Sequence, residues 1–142
     1  MSFLARLFLG KGTFPDEVRV QIESEGALAL EEGLRGSVTY RDYRAPGDRA
    51  HVQRVGTVGA IAVTPERLLV LAPGRQQDDP VVSLAWTDTR VTALKLLAQP
   101  DGLKLTFGAT AFGPDRSGRV EVFLRSADPE RLVALIDAQR RP

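Results

Sequence analysis

The sequence contains no cysteine, which removes disulfide frameworks, thiolate zinc sites and cysteine nucleophiles together. Such an absence fits a reducing, cytoplasmic setting. Histidine is almost as scarce. His51 is the one imidazole in the chain, so no multi-histidine metal site exists and any serine nucleophile has one candidate base. An all-oxygen cation site needs clustered acids, and Asp78-Asp79 supplies two before the next strand begins. Aromatic residues make up 6% of the chain, too few for the repeated stacking of a single-strand nucleic-acid binder. The net charge of +1 gives no global field toward nucleic acid. None of Ser24, Ser37, Ser83, Ser117 and Ser126 sits in a G-x-S-x-G elbow. Gly56 and Gly59 open a strand with no lysine after them, so neither phosphate-binding fingerprint applies. Adjacent carboxylates such as Glu31-Glu32 point to opposite sides of a strand and do not make an acid-base pair. These absences lead us to expect no catalysis, no metal, no cofactor, no small-molecule substrate and no nucleic-acid partner.

What is present is an ordinary globular composition, 142 residues with 43% hydrophobic and 26% charged. A chain of this size buries roughly 68–70% of its unfolded surface, enough for a core without staples. Its charge is unevenly placed. From Pro15 to Glu32, Asp16, Glu17, Glu23, Glu25, Glu31 and Glu32 face Arg19 alone. From Arg35 to Arg54 the balance reverses, with Arg35, Arg41, Arg44, Arg49 and Arg54 against Asp42 and Asp48. The opening MSFLARLFLGKG is apolar through Phe3, Leu4, Leu7, Phe8 and Leu9. It has about half the length of a membrane span and no signal-peptide shape. It reads as a helical turn or two packed on protein, or as an interfacial anchor with Arg6 and Lys11 near head groups. Residues 1–14 are thus expected to be an apolar extension, and 15–142 a single domain.

Along that domain, Pro15-Asp16-Glu17 predicts a short helix ending near Gly26. Strands are expected at Ala27–Glu32, Ser37–Tyr43, His51–Val55, Thr57–Val63, Leu68–Ala72, Val81–Trp86 and Val91–Ala98, with Gly56 and Gly59 as bulge or bend positions. Arg44–Asp48 reads as a loop around Pro46-Gly47. Pro100-Asp101-Gly102 predicts a hairpin turn, followed by alternation at Leu103, Leu105 and Phe107 and again at Val120, Val122 and Leu124. Asp128-Pro129-Glu130 then starts a helix with Leu132, Val133, Leu135 and Ile136 on one face. Seven or eight antiparallel strands and one terminal amphipathic helix predict an α+β roll, mainly β, or a small barrel capped by that helix.

Gly59-Ala60-Ile61-Ala62-Val63-Thr64, Arg67-Leu68-Leu69-Val70, Val81-Val82-Ser83-Leu84-Ala85-Trp86 and Gly118-Arg119-Val120-Glu121-Val122 together resemble the pleckstrin-homology-like superfold, in particular its GRAM and bacterial members. The resemblance implies a seven-stranded antiparallel barrel closed at one end by a C-terminal helix. It also implies a superfold that hosts lipid binders, peptide binders and scaffolds alike. Arg41, Arg44 and Arg49 fall in roughly the loop where phosphoinositide-binding members carry basic residues. The lysine and spaced Arg-x-Arg of those members are absent here, so a specific lipid is not implied. Tyr40 and Tyr43 beside Arg41 and Arg44 form either a stacking patch for a partner or a Tyr–Arg layer that shields the sheet.

Two functions follow as expectations. The first is a cytoplasmic protein-interaction module, binding an acidic partner or a second copy of itself through an exposed sheet edge or through the arginine-rich face of Arg41, Tyr43, Arg44, Arg49 and Arg54. The second is a domain peripheral to the inner membrane face, with Phe3, Leu4, Leu7 and Phe8 inserted and the arginines on anionic head groups. Arg67, in the Thr64-Pro65-Glu66-Arg67 corner, is expected to reach a carboxylate or a carbonyl on a neighbouring strand and to hold structure.

Overall fold

A computed structural model describes residues 12–74 and 81–140. Helix α1 (Asp16–Ser24) precedes a hairpin of unusual length, β1 (Ala29–Ala45) and β2 (Asp48–Val63). Strands β3 (Arg67–Leu71) and β4 (Val81–Ala85), the short helix α2 (Thr89–Thr92), and strands β5 (Lys95–Gln99), β6 (Gly102–Gly108) and β7 (Ser117–Leu124) follow. Helix α3 (Pro129–Gln139) ends the order. The seven strands make one antiparallel sheet, β4-β3-β2-β1-β7-β6-β5, curled into a half-barrel. The mainly β architecture with a C-terminal helix is therefore as the periodicities predict.

Several boundaries differ. The segments read as Ala27–Glu32 and Ser37–Tyr43 are one strand, bent at a bulge between Glu31 and Leu34. Gly33, with φ 69°, takes the backbone conformation that this bulge requires. His51–Val55 and Thr57–Val63 likewise form one strand with no register shift at Gly56. The loop expected at Arg44–Asp48 shrinks to Pro46-Gly47, so Arg44 and Arg49 face each other across a ladder. Val91–Ala98 is strand only in its second half, and its first two residues, Val91 and Thr92, end a short helix. Asp88 caps α2 by accepting from the Arg90 backbone N–H at 2.9 Å, and the strand begins only at Lys95. A side-chain cap outweighed the strand propensity of Thr89, Val91 and Thr92.

The concave side of the sheet holds the main core, built from alternate residues such as Val38, Tyr40, Leu103, Leu105, Val120 and Val122. Helix α3 enters it with Leu132 and Ile136, both buried. Its first turn is capped by Asp128, which accepts from the Arg131 N–H at 3.2 Å. At its other end, Arg140 donates to the carbonyls of Val91 (3.1 Å) and Leu94 (2.7 Å), which ties α3 to the end of α2. A second, smaller core lies on the opposite, outer side. There Ile22 of α1 and the preceding Phe14 cover Ala60, Ala62, Leu69 and Leu71. This explains the continuous apolar run from Ala60 to Val63. Ile61 and Val63 face the concave core while Ala60 and Ala62 face the helix, so neither side of that stretch meets water.

The Thr64–Arg67 corner locks α1 to the sheet. The guanidinium of Arg67 grips both oxygens of Glu25 (2.7–3.1 Å) and also donates to Gln21 and Ser83. Buried Thr64 donates its hydroxyl to Glu25 at 2.9 Å and accepts the backbone N–H groups of Glu66 and Arg67. The Trp86 indole N–H closes the corner on the Thr64 carbonyl at 2.8 Å. Of the two partners expected for Arg67, a carboxylate or a carbonyl on a neighbouring strand, it takes a carboxylate, and this lies at the helix terminus and not on a strand.

The Arg67 hydrogen bonds, with help from Thr64, hold the Glu25 carboxyl below its ordinary range against the opposing effect of burial. Arg90 does the same for Asp88, by side-chain and then backbone hydrogen bonds, to about 2. Both folded values lie below the unfolded ones of about 3.9–4.3. The stability they contribute is complete above pH ~4.3 and is lost as pH falls through the folded values. Acid titration of the unfolding free energy should therefore show a downward limb below pH ~4.3 that is shallower in Glu25→Gln. An identical limb in the two proteins would rule Glu25 out as its source.

Candidate functional site

Helix α1 and Phe14 cover the outer side of the sheet over β2 and β3, with Leu30 of β1 and Val81 of β4 packed at the margin, and farther along the same side Val52, Arg54, Leu97 and Arg119 are exposed among the described residues. The pairing register shows what this side carries. One row runs through Lys95, Thr106, Glu121, Thr39 and Arg54. Its neighbours hold Gly108, Arg119, Arg41 and Val52 on one side, and Leu97, Lys104, Phe123, Ser37 and Gly56 on the other. Arg44 and Arg49 continue the face toward the hairpin tip. Alternate residues of the same strands (Val38, Leu103, Leu105, Val120, Val122) fill the core, which fixes the cations on the outside.

The resulting face carries Lys95, Lys104, Arg119, Arg41, Arg54, Arg44 and Arg49, with Asp42 beside the last two at the hairpin tip and a single carboxylate in the three rows themselves, Glu121. That carboxylate is already compensated. Arg41 Nε donates to it at 3.0 Å and Lys104 Nζ lies 3.7 Å away. Among the described residues Arg44, Arg49, Arg54 and Arg119 enter no ion pair. A shallow groove of about 440 Å³ crosses the face between Ser37, Thr39, Arg41, Arg54, Lys104 and Glu121, with Asp101 at its rim. Hydroxyls and guanidinium groups on a solvated surface suit carboxylate or phosphate oxygens.

Of the residues singled out in the sequence, Arg41 and Arg54 line this groove, while Arg44 and Arg49 flank a smaller recess at the hairpin tip with His51. Tyr43 is placed differently. Asp42 adopts φ 49°, beside a register shift between Arg41 and Arg44, and the irregularity turns Tyr43 inward. At 1% exposure it packs edge-on against Tyr40 in the core and offers no surface to a partner, so neither the stacking patch nor the Tyr–Arg shield forms. Phe3, Leu4, Leu7 and Phe8 lie outside the described residues.

His51 is exposed, with Nδ1 3.0 Å from Asp42 Oδ1. Three of the six acids of the first segment are spent within the fold: Glu25 on Arg67, Glu31 on Ser126, and Glu32 on Arg19 and the Phe14 N–H. Sequence reading missed Lys95, Lys104 and Arg119, since only the register brings them beside Arg41 and Arg54. Their signal was alternation with buried leucines and valines, visible strand by strand but not across strands. Among the described residues no cluster of three or more His, Asp or Glu could hold a metal ion, and no helix is long and apolar enough to cross a membrane. No family model, curated protein or solved structure matches the chain.

Proposed function

We propose that this chain is a non-enzymatic binding module of the pleckstrin-homology-like kind, cytoplasmic, that recognises acidic protein surfaces through the outer face of β5, β6, β7, β1 and β2. The observation that carries the reading is the excess of seven cations over the carboxylates of Glu121, Asp42 and Asp101 on one contiguous, half-uncovered sheet face. Seven antiparallel strands closed by a C-terminal helix support the family resemblance. Phe123 is the one aromatic side chain among the outward residues of those ladders, which favours carboxylates over stacked bases.

Poly-L-glutamate is a suitable probe. Calorimetric titration at about 100 mM salt should show binding that weakens about tenfold or more in Arg49→Glu/Arg54→Glu/Arg119→Glu, because each reversal replaces attraction by repulsion. Equal binding by wild type and variant would overturn the reading. A second reading, attachment to an anionic membrane surface, draws on Val52 and Leu97, which stand exposed among the same cations. It requires co-sedimentation with phosphatidylserine vesicles, and no binding with or without residues 1–12 would remove it.

A further inference from the structure

The outer side of the sheet carries two surfaces of opposite charge next to each other. One is the basic face. The other is the outward side of α1, where Asp16, Glu17 and Glu23 are exposed and Val20 stands 63% exposed among them. Arg19, the cation of that helix, is turned toward the sheet and bound to Glu32 at 2.8 Å, which leaves the outward side acidic. The basic face has its own exposed aliphatic residue, Val52 at 58%, paired across the ladder with Arg41 and two residues from Arg54.

We infer that the occupant of the basic face is a second copy of this chain, with the acidic side of α1 in one protomer laid over the basic strands of the other and the contact repeated by two-fold symmetry. The inference rests on the reading of that face as a site for acidic protein surfaces. Its geometry follows from adjacency. Because α1 and the basic strands lie on the same side of one sheet, a two-fold axis near β2 places each helix over the strands of its partner at once, and the assembly closes. The apolar side of α1 already covers β2 and β3 of its own sheet, so the partner helix extends an existing layer. Val20 and Val52 supply an apolar centre within a ring of opposite charges, the usual anatomy of a specific contact. Two basic faces would repel each other, which leaves helix on sheet as the complementary arrangement.

Sedimentation equilibrium of the full chain tests this directly. A species of about 31 kDa, twice the 15.5 kDa protomer, is expected at about 50 mM salt, giving way to monomer near 500 mM as the charges are screened. Glu17→Lys/Glu23→Lys and Arg49→Glu/Arg54→Glu/Arg119→Glu alter exposed side chains. Each variant alone should be monomeric with an unchanged circular dichroism spectrum. Mixed in equal amounts, they should recover the dimer, because both helix–sheet contacts become complementary again. A wild type that stays monomeric at low salt, a dimer that both variants retain, or an open series of larger species would overturn the inference. Titrating Glu17→Lys/Glu23→Lys, whose basic face is free, with poly-L-glutamate separates the two claims. Binding there without dimerisation of the wild type removes the second copy alone, whereas no binding removes the acidic-surface reading itself.

Discussion

Gly36→Ala should lower stability by more than about 3 kcal/mol, since overpacking against backbone exceeds the usual 1–3 kcal/mol for a crowded core. For a domain of this size that is a melting temperature lower by about 10 °C. Gly36 sits in β1 opposite Leu124 of β7, and a methyl group there would overlap the Phe123 carbonyl oxygen. A carbonyl held in a sheet does not move aside as a side chain does, so the ladder itself must open. Among the described residues the β1–β7 ladder is the sole pairing that joins the β4-β3-β2-β1 half of the sheet to the β7-β6-β5 half. The matched control is Gly56→Ala, where an added Cβ meets nothing within 4 Å and a change within about 0.5 kcal/mol is expected. Equal melting of the two variants would refute the account of the ladder.

Arg67→Ala should cost about 2–3 kcal/mol, somewhat below the 3–5 kcal/mol for removing one partner of a fully buried pair. Both side chains keep some exposure, 22% for Arg67 and 19% for Glu25. Truncation leaves the Glu25 carboxylate with the Thr64 hydroxyl alone and releases Gln21 and Ser83 from the guanidinium. Arg67→Lys should recover only part of the loss, because an ammonium does not offer two parallel donors to one carboxylate. Urea denaturation compares the three proteins. An Arg67→Ala protein as stable as wild type would show that α1 is held without this corner, by its apolar side and the Arg19–Glu32 pair.

These two positions also mark what could be read in the sequence. The alternation of Leu103, Leu105 and Phe107, and the Asp128-Pro129 start of α3, are local, and both were legible. Arg67 could be assigned a carboxylate or a carbonyl but not Glu25, because that partner lies 42 residues away and no local rule spans the distance. Tyr43 was misplaced because strict alternation assumes an unbroken strand, and the positive φ at Asp42 breaks it. The basic face was half visible. Arg41, Arg44, Arg49 and Arg54 share one hairpin, whereas Lys95, Lys104 and Arg119 join them only through a register set by distant strands.

The β1–β7 ladder carries a further consequence, for the order of events during synthesis. Arg41 and Glu121 of that ladder are 80 residues apart, so at about 5–20 residues per second β1 waits roughly 4–16 s for its partner to be made. Through that interval the β1–β2 hairpin exists with one long edge unpaired, the kind of edge that recruits other nascent strands. Arg35, Arg41 and Arg44 stand along it, and charged side chains on an open strand discourage such pairing. Two of these arginines, Arg41 and Arg44, thus protect the growing chain before the face they belong to exists.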